Sequence, residues 1–310
     1  MDQQFLSWEI FIFVISTLLL FDLGVFNKKN TAISFKKSLY LSCFYILIAC
    51  LFGVYIYYEL GATSANEYFT GYILEKIMSL DNIFVISIIF KFFKIPPKYQ
   101  HRVLFLGILG VIILRAIMIS IGASLLANFE WILFIFAALL IITGVKTLTV
   151  ADHSAINIED MYIYKLLKNV LNISPKCHGD KFIIKDKGKY FVTPLFMALI
   201  TIETMDVIFA LDSIPAIFAV TQNTYIIYTS NVFAILGLRA LFFLLENIVE
   251  RFKFIKYSLA IILILIGIKI FVAHFITIPT YITLVTTITL ISLGIIVSVI
   301  KKDNNNSNRV

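Results

Sequence analysis

Runs of about twenty apolar residues recur from one end of the chain to the other, separated by short polar stretches. Nine such segments can be drawn, near 6–26, 36–58, 69–92, 102–126, 129–150, 192–213, 224–248, 255–275 and 279–300. As helices, each is long enough to cross a hydrocarbon core of about 30 Å. The pattern therefore predicts an all-α membrane protein with about nine transmembrane helices. The first segment has no basic stretch before it and no small-residue cleavage site after it, so it reads as a retained helix. Pro215 stands just past the sixth segment; it lacks a backbone donor and crowds the preceding turn, so a helix break is expected there.

The polar stretches carry the orientation. Lys28, Lys29, Lys36 and Lys37 fill the first loop, Lys91, Lys94, Lys98 and Arg102 the third, and seven lysines from Lys165 to Lys189 the long fifth. Arg251, Lys253 and Lys256 lie in the seventh, and Lys301 and Lys302 start the tail. The loops between these contain no Lys or Arg. Basic loops face the cytoplasm, so a multi-pass protein of the cell membrane is expected, with its N-terminus outside and its C-terminus inside. The lysine-rich loop suits contact with anionic lipid, and the tail from Asp303 to Val310 reads as disordered.

A repeat organises the middle of the chain. Glu75 followed by Leu80-Asp81-Asn82-Ile83 in the third segment matches Asp206 followed by Leu211-Asp212-Ser213-Ile214 in the sixth. Leu114-Arg115-Ala116 then matches Leu238-Arg239-Ala240, and Gly144-Val145-Lys146 matches Gly267-Ile268-Lys269. The two three-helix units start on opposite sides of the membrane. That is an inverted-topology repeat, a plan of secondary transporters whose sites lie where the repeats meet. The expected divisions are two peripheral helices in 1–68, the first repeat in 69–150, a basic loop in 151–191, the second repeat in 192–275, and a last helix and tail in 276–310.

Composition fits this plan. Of the 310 residues, 60% are hydrophobic and only 15% charged, against roughly 25% charged in soluble domains. The formal charge of +7 follows from the loops and does not imply nucleic-acid binding. Cys43, Cys50 and Cys177 form no CxxC pair, which argues against a disulfide framework or zinc site.

Ionisable residues inside apolar segments are costly and mark function. Glu75 and Asp81 lie in the third segment; Glu203, Asp206 and Asp212 lie in the sixth. With the amide oxygen of Asn82 and the hydroxyl of Ser213, they could form an oxygen cage. Such hard donors suit Mn²⁺, Ca²⁺ or Mg²⁺. In the alternative, the acids pair with Arg115, Lys146, Arg239 and Lys269 and only hold the bundle together. Glu203 has no acidic counterpart, because Tyr72 occupies the matching place, and this favours Glu203 as a proton carrier. Asn231 reads as an interhelical hydrogen-bonding residue. Glu59, Glu246 and His274 read as interfacial, and Cys177-His178 as a solvated loop pair. No His-Glu-x-x-His motif or Ser/Lys dyad supports an enzyme.

These motifs resemble the TerC/Alx family of integral membrane proteins. The likeness rests on Glu75-Lys76 with Ser79-Leu80-Asp81-Asn82-Ile83-Phe84-Val85 and on Ile202-Glu203-Thr204-Met205-Asp206 with Phe209 to Ala216. Thr229-Ser230-Asn231 and Phe233 to Ala240 add to it. Val111 and the loop from Ile156 to Ser174 depart from the family's pattern. The resemblance implies a divalent metal exporter with Mn²⁺ as the leading cargo, and a link to tellurium resistance. The metal and protons would be transient partners in a lipid bilayer, with no permanently bound cofactor.

Overall fold

The computed structural model describes residues 2–26, 35–129, 131–149, 158, 162–174, 178–186, 188–245, 255–272 and 279–307. The helices are α1 (Asp2–Phe26), α2 (Phe35–Phe92), α3 (Pro97–Asn128), α4 (Ile132–Thr149), α5 (Tyr162–Val170), α6 (Pro194–Phe218), α7 (Thr224–Leu236), α8 (Leu238–Leu245), α9 (Ile255–Val272) and α10 (Thr280–Ser307). Seven of the described helical stretches are long and apolar enough to cross a membrane, with α7 and α8 forming one of them. Their outer faces carry large apolar side chains, among them Ile113, Ile142 and Val285. This is the inverse of a soluble surface and suits lipid contact.

α2 accounts for two of the nine segments. Its 58 residues would span about 87 Å if straight. Instead it reverses at Gly61, where φ 86° and ψ 174° place the backbone in a region open to glycine alone. The halves then lie side by side. The Tyr68 hydroxyl donates to the Ala49 carbonyl at 3.0 Å, and the Phe52 and Tyr68 rings are 5.9 Å apart. α1, with 25 residues, supplies the remaining segment.

The inverted repeat is visible where α4 meets α9. A Cβ on Gly144 would stand 2.6 Å from Ile264 Cγ1 and 2.7 Å from the Ala260 carbonyl oxygen. A Cβ on Gly267 would stand 2.7 Å from Ile141 Cγ1 and 2.8 Å from the Ala137 carbonyl oxygen. Each contact becomes the other on exchanging the two helices, the reciprocity that a two-fold axis produces. Small residues let the backbones approach this closely.

α1 is bound to the second repeat. Trp8 and Phe11 pack on Tyr225 and Tyr228 of α7, and the Tyr225 hydroxyl donates to the Ser7 carbonyl at 3.1 Å. Phe52 and Phe233 join the same aromatic cluster, with ring centroids 4.6 Å apart.

Three expectations need correction. α6 is not broken at Pro215; it continues to Phe218, one turn further. Residues from Ser213 to Phe218 are all buried, so packing holds the turn that the proline weakens. The basic loop contains a two-stranded hairpin, β1 (Ile183–Asp186) paired antiparallel with β2 (Lys189–Val192). Gly188 supplies the positive φ that its tight turn needs, and Asp186 pairs opposite Lys189. Finally, α10 runs on through Ser307, so most of the tail is helical; it contains no Pro or Gly after Gly294 to stop it. Glu246, His274 and Cys177 lie outside the described residues.

Candidate functional site

The site forms around Arg115, in the middle of α3 and only 1% exposed. A guanidinium removed from water needs several fixed acceptors, and three other helices provide them. Its Nη1 lies 2.7 Å from Glu75 Oε1 of α2 and donates to Ser213 Oγ of α6 at 3.0 Å and Asn231 Oδ1 of α7 at 2.9 Å. Nε and Nη2 donate to the two oxygens of Asp206, each at 3.3 Å. Asn82 Nδ2 donates to Asp206 Oδ1 at 3.4 Å, while Asn82 Oδ1 is buried without a hydrogen-bond partner.

Glu75 and Asp206 are matched positions of the two repeats, and they meet on this one cation. One guanidinium carries half the charge that two ionised carboxylates present. Asn231 accepts from Arg115 and donates to the Ile227 carbonyl at 3.0 Å, as an interhelical hydrogen-bonding residue does.

Glu203 lies one turn before Asp206. Its two oxygens are buried without a hydrogen-bond partner and rest against α3, where a Cβ added to Gly110 would fall on the carboxylate. A cavity of about 20 Å³, room for roughly one water, opens beside the site. Asn82, Gly107, Asp206 and Arg239 are among its lining residues.

Asp212, Lys146 and Lys269 lie apart. Asp81 and Asp212 are both half-buried. Asp212 faces α4, accepting from Thr143 Oγ1 at 3.0 Å, with Lys146 near enough to attract its carboxylate. The five carboxylates do not meet as one cage: among the described residues, no three His, Cys, Asp or Glu side chains come together to hold a metal. The matched lysines also diverge. Lys146 is exposed on α4, whereas Lys269 donates to Thr283 Oγ1 of α10 at 2.9 Å.

Arg239 makes a pairing that the sequence reading misses. It forms a buried ion pair with Asp22 of α1, and the Tyr45 hydroxyl donates to the same carboxylate at 2.9 Å. Asp22 was the available signal, an acid inside the first apolar segment and outside the two repeats on which the sequence reading rests. Lys76, noted only within the family motif, is half-buried and donates to the Ala234 carbonyl at 3.1 Å. There it meets the negative end of α7.

The comparisons agree with this architecture. The sequence model of the "Integral membrane protein TerC family" matches residues 60–306. An uncharacterized membrane protein of Rickettsia felis is 60% identical over 96% of this chain and 99% of its own. One of Myxococcus xanthus is 41% identical over 95% and 92%. A protein of Photorhabdus laumondii, named provisionally as a membrane-bound redox modulator, Alx, is 40% identical over 95% and 92%. No solved structure matches.

Proposed function

This chain belongs to the TerC family of integral membrane proteins, and from that premise we propose that it is a secondary transporter exporting a divalent metal cation, foremost Mn²⁺, in exchange for protons. One observation carries the reading. Glu75 and Asp206, contributed by the two halves of an inverted repeat, converge on a single buried cation. A divalent ion would neutralise both acids where Arg115 neutralises one. Asn82 Oδ1 and Ser213 Oγ are neutral oxygens beside them, and the metal would enter as Arg115 withdrew. Two carboxylates and two neutral oxygens suit a hard cation that keeps some of its water.

Energetics favours proton exchange. Moving one charge outward against a negative interior costs about 2.3 kcal/mol per 100 mV, and a divalent ion costs about twice that. The chain has no P-loop sequence through which ATP could supply this. Exchange of one metal for two protons moves no net charge and draws on the pH gradient alone. Glu203, buried beside Asp206 without a partner, is the candidate proton carrier.

A second reading has its own support, because four partners around Arg115 are also what a structural staple would show. The deciding experiment is ⁵⁴Mn²⁺ uptake into everted vesicles or proteoliposomes, with and without a pH gradient. A transporter gives gradient-dependent uptake that Asp206→Asn abolishes in folded protein. A staple gives no uptake, and purified protein that binds no Mn²⁺.

A further inference from the structure

The repeat calls for two equivalent ion pairs, and the structure holds one. Arg115 pairs with Glu75 inside the first unit. The matching pair in the second unit would join Arg239 to Asp206. Asp206 is instead held by Arg115, and Arg239 by Asp22 of α1. Arg239 is nevertheless close to that missing pairing, since it and Asp206 line the same cavity.

The backbone distinguishes the two arginines. Arg115 sits inside an unbroken helix of 32 residues. Arg239 is the second residue of α8, directly after Gly237, where α7 ends. The position matching Gly237 in the first unit is Ile113. The second unit thus carries its arginine on an interrupted helix, the kind of joint that absorbs a local rotation. Around the guanidinium are Asp22, the Tyr45 hydroxyl that donates to Asp22, and the Phe105 ring at 5.6 Å. Asp22 and Tyr45 lie outside residues 60–306 matched by the family.

We infer that Arg239 is a travelling counter-ion, docked on Asp22 in this state and on Asp206 in the opposite state, with Asp22 the positioning residue that keeps it off the binding site. Arg115 and Arg239 then take turns on the acids as the two units exchange conformations. When Arg115 yields, Arg239 can replace it at Asp206, so that this carboxylate keeps a cation. The effect on flux rests on the transporter reading; the exchange of partners does not.

The test combines melting with flux in the full chain, using Asp22→Asn, Asp22→Glu, Asp206→Asn, Asp22→Asn with Asp206→Asn, and Asp22→Asn with Arg239→Gln. Asp22→Asn should stay folded, because Arg239 moves onto Asp206. Its KM for Mn²⁺ should rise about tenfold, the size of an ordinary coupling between sites, while Asp22→Glu stays near wild type. Adding Arg239→Gln should restore KM but not kcat, since nothing then competes at Asp206 and nothing returns there. The Asp22/Asp206 double variant should melt lower than the sum of the single effects, because Arg239 has lost both partners. Additive melting would overturn the inference. So would an Asp22→Asn protein that is lost from the membrane and recovered by Arg239→Gln, or one with unchanged KM. If the wild type carries no Mn²⁺, the transporter reading fails, and the melting cycle alone decides whether Arg239 exchanges partners.

Discussion

Arg115 shows how one buried cation can bind an architecture together. Its four partners come from three helices besides its own. Arg115→Gln would leave Glu75 buried without a cation, which typically costs about 3–5 kcal/mol. The expected result is a large fall in melting temperature. Arg115→Lys should recover only part of it, because an ammonium is a point charge and cannot reproduce the planar fork. Glu203 permits a finer comparison. A Cβ on Gly110 would land on its carboxylate, whereas one on Gly107 would stand 3.6 Å from Oε1, an ordinary contact. Gly110→Ala should therefore reduce Mn²⁺ flux strongly and Gly107→Ala far less. Equal losses in the two variants would remove Glu203 from the mechanism.

At the scale of elements, the sequence exposes whatever has a period or a signature. The apolar segments are legible because the bilayer sets their length, and the repeat because charged residues recur in order through apolar surroundings. Three features are hidden for separate reasons. Pro215 looks like a break because sequence shows its missing donor but not the packing from Ser213 to Phe218 that holds the turn. The hairpin from Ile183 to Val192 is masked by lysines that suggest a plain solvated loop. The unequal partners of Arg115 and Arg239 cannot be read from a motif shared by both units. They arise from α1, which lies outside the repeat. The matched packing of α4 on α9 gives a quantitative check. Gly144→Ala and Gly267→Ala meet nearly the same close contacts, so each should cost a similar amount, about 1–3 kcal/mol from overpacking. Denaturant or thermal melting of the two variants should give nearly equal shifts. One neutral and one severe variant would speak against the two-fold relation.

For the whole molecule, the alternating charge of the loops predicts which ends face inward. In a chain stripped of Cys43, Cys50 and Cys177, single cysteines at Lys37, Lys98, Lys181 and Lys256 should be shielded from an external impermeant thiol reagent in intact cells. A cysteine at Glu67 should react. Labelling of any of the four from outside would reverse or break the orientation. The attachment of α1 to α7 has a further practical consequence. The chain contains two tryptophans, Trp8 and Trp131. Trp131 is exposed, 6.3 Å from the Phe129 ring, whereas Trp8 lies 5.0 Å from Tyr225 across the α1–α7 contact. Trp131→Phe would leave a single natural fluorophore at the joint between the N-terminal helix and the second repeat. If α1 and α7 travel as one body, its emission maximum and lifetime should stay constant when Mn²⁺ is added, while a dye on α3 responds. If α1 stays still as α7 tilts, the indole loses its tyrosine neighbours and its emission shifts. The protein would then report, without any attached label, which of its helices form the moving part.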